Sequence, residues 1–152
     1  MDPSQRPESC TPESPTPQRC PCLSGENYVL CCGRFHRGEA QAPTAEALMR
    51  SRYSAFALGE AAYLLASWHP GTRPTELALD PEIHWTRLDI LASTAGGPFD
   101  MEGTVSFRAR YRVEPNGGAA PSSRRGVQEE LSRFIRQDGR WFYLDGVVGT
   151  PG

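Results

Sequence analysis

The chain has 152 residues, room for one domain and a small appendage, with 16 basic against 18 acidic residues and a formal charge of −2. All of the basic residues counted there are arginine. With no lysine, Schiff-base chemistry, a G-x-x-x-x-G-K-[ST] phosphate loop and a kinase-type lysine are excluded, and the balanced charge argues against a dedicated nucleic-acid binder.

Residues 1–18 are rich in Pro, Ser, Thr and Gln. They offer little to bury and no apolar run, so they are expected to be a disordered tail and not a signal peptide. Residues 19–38 carry the cysteine cluster. The chain has five cysteines, Cys10, Cys20, Cys22, Cys31 and Cys32, all near its start. A secreted disulfide scaffold spreads its cysteines through the fold it staples, so this clustering reads as a metal site. Cys20-x-Cys22 followed by Cys31-Cys32 supplies four thiolates from one loop, the donor set of a structural tetrahedral zinc. Ser24-Gly25 is where the chain turns back over the ion, and Tyr28 and Leu30 can cover one side. The competing reading is redox chemistry, through a vicinal Cys31–Cys32 disulfide or a reactive Cys20–Cys22 pair. His36 is the spare ligand should Cys32 face away, and Cys10 lies outside the motif.

Residues 39–148 read as one globular domain, with a short tail at 149–152. A helix opens near Pro43-Thr44, with Glu46 in its first turn and an apolar stripe of Leu48, Met49, Tyr53, Phe56 and Ala57, and ends at Gly59. A second helix, Glu60 to Trp68, stops at His69-Pro70-Gly71. Ile83 to Leu91 is strand-like. Thr104 to Val113 alternates, with Val105, Phe107, Ala109, Tyr111 and Val113 on one face and Arg108, Arg110 and Arg112 on the other. Gly117 to Ser123 reads as a flexible loop. Gln128 to Gln137 and Arg140 to Val147 are strands joined by a tight Asp138-Gly139 turn. Helices followed by a strand meander predict an α+β fold, with helices packed on a curved antiparallel sheet and a small zinc knuckle in front. The longest apolar stretch, around Ala61 to Ala66, falls far short of the roughly 20 residues a membrane span needs. A cytoplasmic location is the expectation.

Cys20-Pro-Cys22-Leu-Ser-Gly-x-x-Tyr28-x-x-Cys31-Cys32 resembles the SEC-C motif, known from the zinc-binding tail of the preprotein-translocase motor ATPase. Leu23 stands where the motif usually has glycine, and Glu26-Asn27 where it usually has a basic pair. Leu48-Met49-Arg50-Ser51-Arg52-Tyr53-Ser54-Ala55-Phe56, Trp68-His69-Pro70 and Asp138-Gly139-Arg140-Trp141-Phe142-Tyr143 resemble the YchJ-like family of uncharacterised bacterial proteins. That resemblance implies a cone of curved sheet around helices, similar to nuclear transport factor 2, and implies no particular reaction.

The pocket candidates are Arg50, Tyr53, His69 and Glu130. Arg50 shares a helix face with Tyr53, so it is taken as the inward-facing guanidinium, or as an anchor paired with Glu130 or Asp145. His69 is either a general base or a ligand of the carbonyls at the helix end. Trp85 and Trp141 are read as core. The arginine stripe on the sheet is read as a solvated, ion-paired face or as a phosphate-binding one.

The expected function is a non-enzymatic module. Its zinc knuckle, with Cys20, Cys22, Cys31 and Cys32 as ligands, docks on a protein or ribonucleoprotein partner, and its cone holds a small ligand. The alternatives are a proton-transfer lyase or isomerase working in the cone, with Glu130 or His69 moving a proton and Arg50 holding an anion, and a binder of RNA or the ribosome.

Overall fold

Thr44 begins the long helix of the molecule because its side chain accepts the otherwise orphaned Ala47 N–H at 3.0 Å. The computed structural model describes residues 18–114 and 124–149. Residues 1–17 of the tail expected at 1–18, Cys10 among them, and the loop at Gly117–Ser123 lie outside these residues. In chain order the helices are α1, Cys32–His36, after a single 3-10 turn at Tyr28–Leu30; α2, Ala45–Leu58; and α3, Ala61–Ala66. Gly59 ends α2 in the left-handed region at φ 78°, a conformation only glycine adopts at little cost. The chain turns directly into α3. No helix among the described residues is long and apolar enough to cross a membrane.

Among the described residues the strands are β1, Ile83–Ala95; β2, Glu102–Val113; β3, Arg124–Gln137; and β4, Arg140–Gly149. They form one antiparallel sheet in the order β1-β2-β3-β4, a simple meander. The β3–β4 turn is the one read from sequence, with Asp138 at φ 55° and Gly139 at φ 79°. β1 runs four residues beyond its expected end at Leu91, because Ala92–Ala95 pair with Gly103–Ser106. Two register shifts, at Trp85/Arg87 and Ile90/Ala92, break the alternation and hide this extension from a period-2 reading. A third shift, at Arg133/Phe134, falls in the β3–β4 ladder. Such bulges bend the strands and curve the sheet.

The inner face of the sheet carries Leu88, Val105, Phe107, Ala109, Phe134 and Trp141, packed against Leu48, Met49 and Tyr53 of α2. After α3 the chain joins the outer edge of β4, where Tyr143 N–H donates to Ser67 O at 2.9 Å and His69 N–H to Tyr143 O at 2.8 Å. On the outer face the arginine stripe meets carboxylates directly across the ladder. Arg108 pairs with Glu129 at 2.7 Å and Arg133 with Asp145 at 2.6 Å. The second pair holds the exposed Asp145 carboxyl below its ordinary range.

Candidate functional site

The four cysteines Cys20, Cys22, Cys31 and Cys32 gather their sulfurs within 4.8 Å of one another, with no disulfide among them. Cys22 and Cys31 Sγ are 3.7 Å apart and Cys31 and Cys32 Sγ 4.0 Å. A tetrahedral zinc with bonds of about 2.3 Å requires sulfurs about 3.8 Å apart, so the spacing fits that ion. The loop is shaped for it. Leu23 N–H donates to Cys20 O at 3.1 Å, Cys20 N–H to Glu26 O at 2.9 Å, and Gly25 turns at φ 91°. Ser24 Oγ lies 3.2 Å from Cys31 Sγ.

The electrostatics also call for a cation. Hydrogen bonds from the Cys22 thiol, and next from Cys32, hold Cys20 far below the usual thiol range. The same crowding raises Cys22 and Cys32, each chiefly through its hydrogen bond with Cys20. Four adjacent sulfurs cannot all ionise unless a positive ion replaces the protons.

Leu23 occupies the left-handed region at φ 67°, where an L side chain costs about 1–2 kcal/mol. Leu23→Gly is expected to gain about 0.5–1 kcal/mol, the relief of strain less the added freedom of the unfolded glycine. Thermal unfolding of the zinc-loaded variant checks this.

The cluster is bolted to α2. Cys20 Sγ lies 3.4 Å from Ser54 Oγ, and Arg50 Nη1 donates to Cys22 O at 2.9 Å while its Nε bonds Glu46 Oε2 at 3.0 Å. His36 Nε2 donates to Ser51 O at 2.8 Å, its Nδ1 lies 2.6 Å from Tyr28 OH, and its ring meets Tyr63 at 4.6 Å. Both ring nitrogens are in use, so His36 is a strut between the knuckle and α2, and the four-sulfur set needs no substitute from it. His36→Ala is expected to lower stability by about 2 kcal/mol, two lost hydrogen bonds at roughly 1 kcal/mol each, with zinc content unchanged. Metal analysis and denaturant unfolding of the same sample separate the two effects.

The adjoining face of α2 lines a cavity of about 250 Å³ inside the curved sheet. At roughly 100° per residue, Met49, Arg52, Tyr53 and Phe56 share this face, while Glu46, Arg50 and Ser54 form the ridge toward the cysteines. Trp85 and Phe107 add aromatic wall, and Gln128, Glu130, Ser132 and Tyr143 the polar side. The Glu130 carboxylate accepts from Ser132 Oγ at 2.7 Å, Tyr143 OH at 3.0 Å and Gln128 Nε2 at 3.4 Å. Arg52 is 4% exposed and places its guanidinium carbon 4.4 Å from the Tyr143 ring centroid and 5.1 Å from that of Trp68. Burial pushes Arg52 down to about 10, so it remains a cation at neutral pH, and pushes the Tyr53 hydroxyl up to about 12.

Of the four pocket candidates, Tyr53 and Glu130 meet in this cavity and Arg50 and His69 do not. Arg50 faces the knuckle and pairs with Glu46, not with Glu130 or Asp145. The inward guanidinium is Arg52. Tyr53 neighbours both arginines and cannot choose between them, whereas Met49 three residues before and Phe56 four after Arg52 place it on the cavity face. His69 neither enters the cavity nor caps the helix carbonyls. Its Nδ1 accepts Gly71 N–H at 3.0 Å, and its Nε2 donates to Gln137 Oε1 at 2.7 Å, which ties the chain after α3 to the β3–β4 hairpin. Trp85 is half-buried at the cavity wall and Trp141 is core. Nothing in the sequence marks the helical serines Ser51 and Ser54 as anchors.

Comparison with known proteins bears on the family and the fold. A family model described as YchJ, middle NTF2-like domain, matches residues 44–146. A UPF0225 protein of Streptomyces coelicolor is 55% identical over 132 residues, 87% of this chain and 96% of the relative. A UPF0225 protein of Corynebacterium glutamicum is 55% identical over 131 residues, 86% of this chain and 98% of that protein. Among solved structures, a SEC-C motif containing protein from Rhodopseudomonas palustris superposes with a TM-score of 0.68 at 32% identity, covering 86% of this chain and 98% of that one. Another, from Psychrobacter arcticus, has a TM-score of 0.64 at 26% identity, covering 88% and 84%.

Proposed function

The chain belongs to the YchJ-like UPF0225 family, and from that premise we propose that it is a non-enzymatic binding module in which a structural zinc props the helix that forms the floor of a ligand cavity. The observation that carries this reading is the two-sided α2. One ridge, Arg50 and Ser54, holds the cysteine cluster, and the adjoining face, Arg52 and Tyr53, lines the cavity. Cys20, Cys22, Cys31 and Cys32 would hold the zinc. Four thiolates close its coordination shell, so the ion supplies folding energy and offers no position to a substrate. The cavity residues support binding over proton transfer, since the carboxylate of Glu130 is already engaged by three donors and His69 lies elsewhere.

The knuckle is also read as the docking surface for a protein partner. Leu23, Val29 and Leu30 are 54%, 54% and 58% exposed, and Leu23 is kept in a strained backbone conformation. A Leu23→Ser, Leu30→Ser double variant that retains zinc is expected to lose partner proteins recovered with the wild type. An identical partner set removes the knuckle from that role.

Removal and return of the metal tests the structural claim. The stripped protein is expected to be cleaved by protease within residues 19–36 and to regain resistance with zinc. Equal resistance in both states contradicts it. Loading must also displace the protons that crowding keeps on Cys22 and Cys32. Lower pH strengthens the competitor, so apparent zinc affinity is expected to fall as pH falls, by about tenfold per pH unit for each thiol proton displaced. Competition against a chromophoric chelator across neutral pH measures that slope.

A further inference from the structure

The polar groups of the cone cavity are unbalanced. Arg52 spends Nη1 on Leu64 O at 2.8 Å and Ser67 Oγ at 2.7 Å, but its Nε and Nη2 have no acceptor among the described residues. No carboxylate of those residues comes within ion-pair distance of it, although a guanidinium this buried ordinarily has one. Trp68 lines the same cavity, and its indole Nε1–H is buried with no hydrogen-bond partner among the described residues. Glu130 shows the opposite condition, with Ser132, Tyr143 and Gln128 already donating to it. The unmet groups are therefore donors, one of them charged, and of these the Trp68 Nε1–H is wholly buried.

The remaining wall is apolar and largely aromatic, from Met49, Tyr53, Phe56, Trp85 and Phe107. Phe56, Trp85, Gln128 and Glu130 are half-buried, which leaves a route in from solvent. The volume, about 250 Å³, is small for a ligand site. It equals that of roughly eight waters at about 30 Å³ each, the bulk of a one-ring compound.

We infer that the cavity binds a small aromatic carboxylate, its carboxylate oxygens accepting from Arg52 and the Trp68 indole and its ring lying against the apolar wall. This rests on the reading of the cone as a ligand site and adds the chemical class. The arrangement supplies acceptors where the fold lacks them and places the anion on the guanidinium, with Glu130 screened by its own donors. Arg52→Met leaves Ser67 Oγ its bond to Tyr63 O at 2.8 Å, with Leu64 O 3.3 Å from the same hydroxyl.

The test is titration of zinc-loaded, full-length protein with phenylacetate and, in parallel, with its uncharged isostere phenylacetamide, followed by tryptophan fluorescence and calorimetry. Saturable one-site binding of the acid is expected, with the amide at least tenfold weaker. Arg52→Met is expected to stay folded and to bind the acid at least tenfold more weakly. Trp68→Phe keeps the ring, removes only the N–H and is expected to weaken binding about fivefold. It decides the matter should Arg52→Met fail to fold. Equal affinity for acid and amide overturns the carboxylate assignment and leaves the cone as a ligand site. Wild-type affinity in either variant, or no binding of either probe, also overturns the inference. Zinc content of the same samples reports on the metal reading separately.

Discussion

Cys32→Ser is expected to reduce bound zinc to a small fraction of the wild-type level and to unfold the segment from Gln18 to His36 while the sheet stays folded. Around the metal the buried side chains are Cys20, Cys22 and Cys32, with Tyr28 and Cys31 packed against them, while Phe35 at the end of the segment reaches into the core of the larger domain. In zinc-finger peptides the metal supplies about 10–16 kcal/mol of apparent binding energy, which is folding energy for the segment that holds it. A serine hydroxyl is a far poorer zinc ligand than a thiolate, and three sulfurs leave the shell open. The loss is expected to spread into α2 through Ser54, Arg50 and Ser51, the three points where the knuckle grips that helix. It stops there, because α2 is also capped by Thr44 and packed on the sheet through Leu48, Met49 and Tyr53. Metal analysis with limited proteolysis checks both halves. A variant that keeps zinc and resists cleavage denies Cys32 its place in the cluster.

Trp141→Ala is expected to produce the second large effect, a loss of about 4 kcal/mol measured by denaturant unfolding. Trp141 is 4% exposed at the start of β4, and its Nε1–H donates to Pro43 O at 3.2 Å, just before the cap of α2. One side chain thus fills the core and fixes where the helix begins. Truncation opens a cavity and strands that carbonyl, and the two costs add. Because Cys20, Cys22, Cys31 and Cys32 stand outside the core cluster that holds Trp141, zinc content is expected to stay at the wild-type value. Loss of metal in this variant would mean that the knuckle depends on the core more than its contacts imply.

The parts of the molecule that repeat locally were legible in the sequence. The cysteine spacing carried its own geometry. Thr44, Gly59 and Asp138-Gly139 act on their immediate neighbours, and β2 alternates without a break along its buried stretch. Features that depend on distant partners were not legible. Arg50 and Arg52 are nearly opposite on the helix, and Tyr53 adjoins both, so the face had to be chosen from the whole stripe of Met49, Tyr53 and Phe56. His69 finds Gln137 across 68 positions of sequence, which a local reading converts into a helix cap. The bulges of β1 erase the period that would have carried the strand to Ala95. Ser51 and Ser54 are ordinary residues for a helix surface, and only distant partners give them a purpose: Cys20 for the Ser54 hydroxyl, His36 for the Ser51 carbonyl and Tyr63 for the Ser51 hydroxyl.

The proposed role of the knuckle stands on the claim that a metal closes the four-sulfur cluster and that the segment folds around it. Elemental analysis of the purified protein, paired with thermal unfolding before and after chelation, tests that claim directly. One zinc per chain, lost to chelator together with a lower melting temperature and recovered with it on reloading, is the predicted result. A metal-free protein whose residues 19–36 are folded, and whose melting temperature zinc does not change, would contradict it.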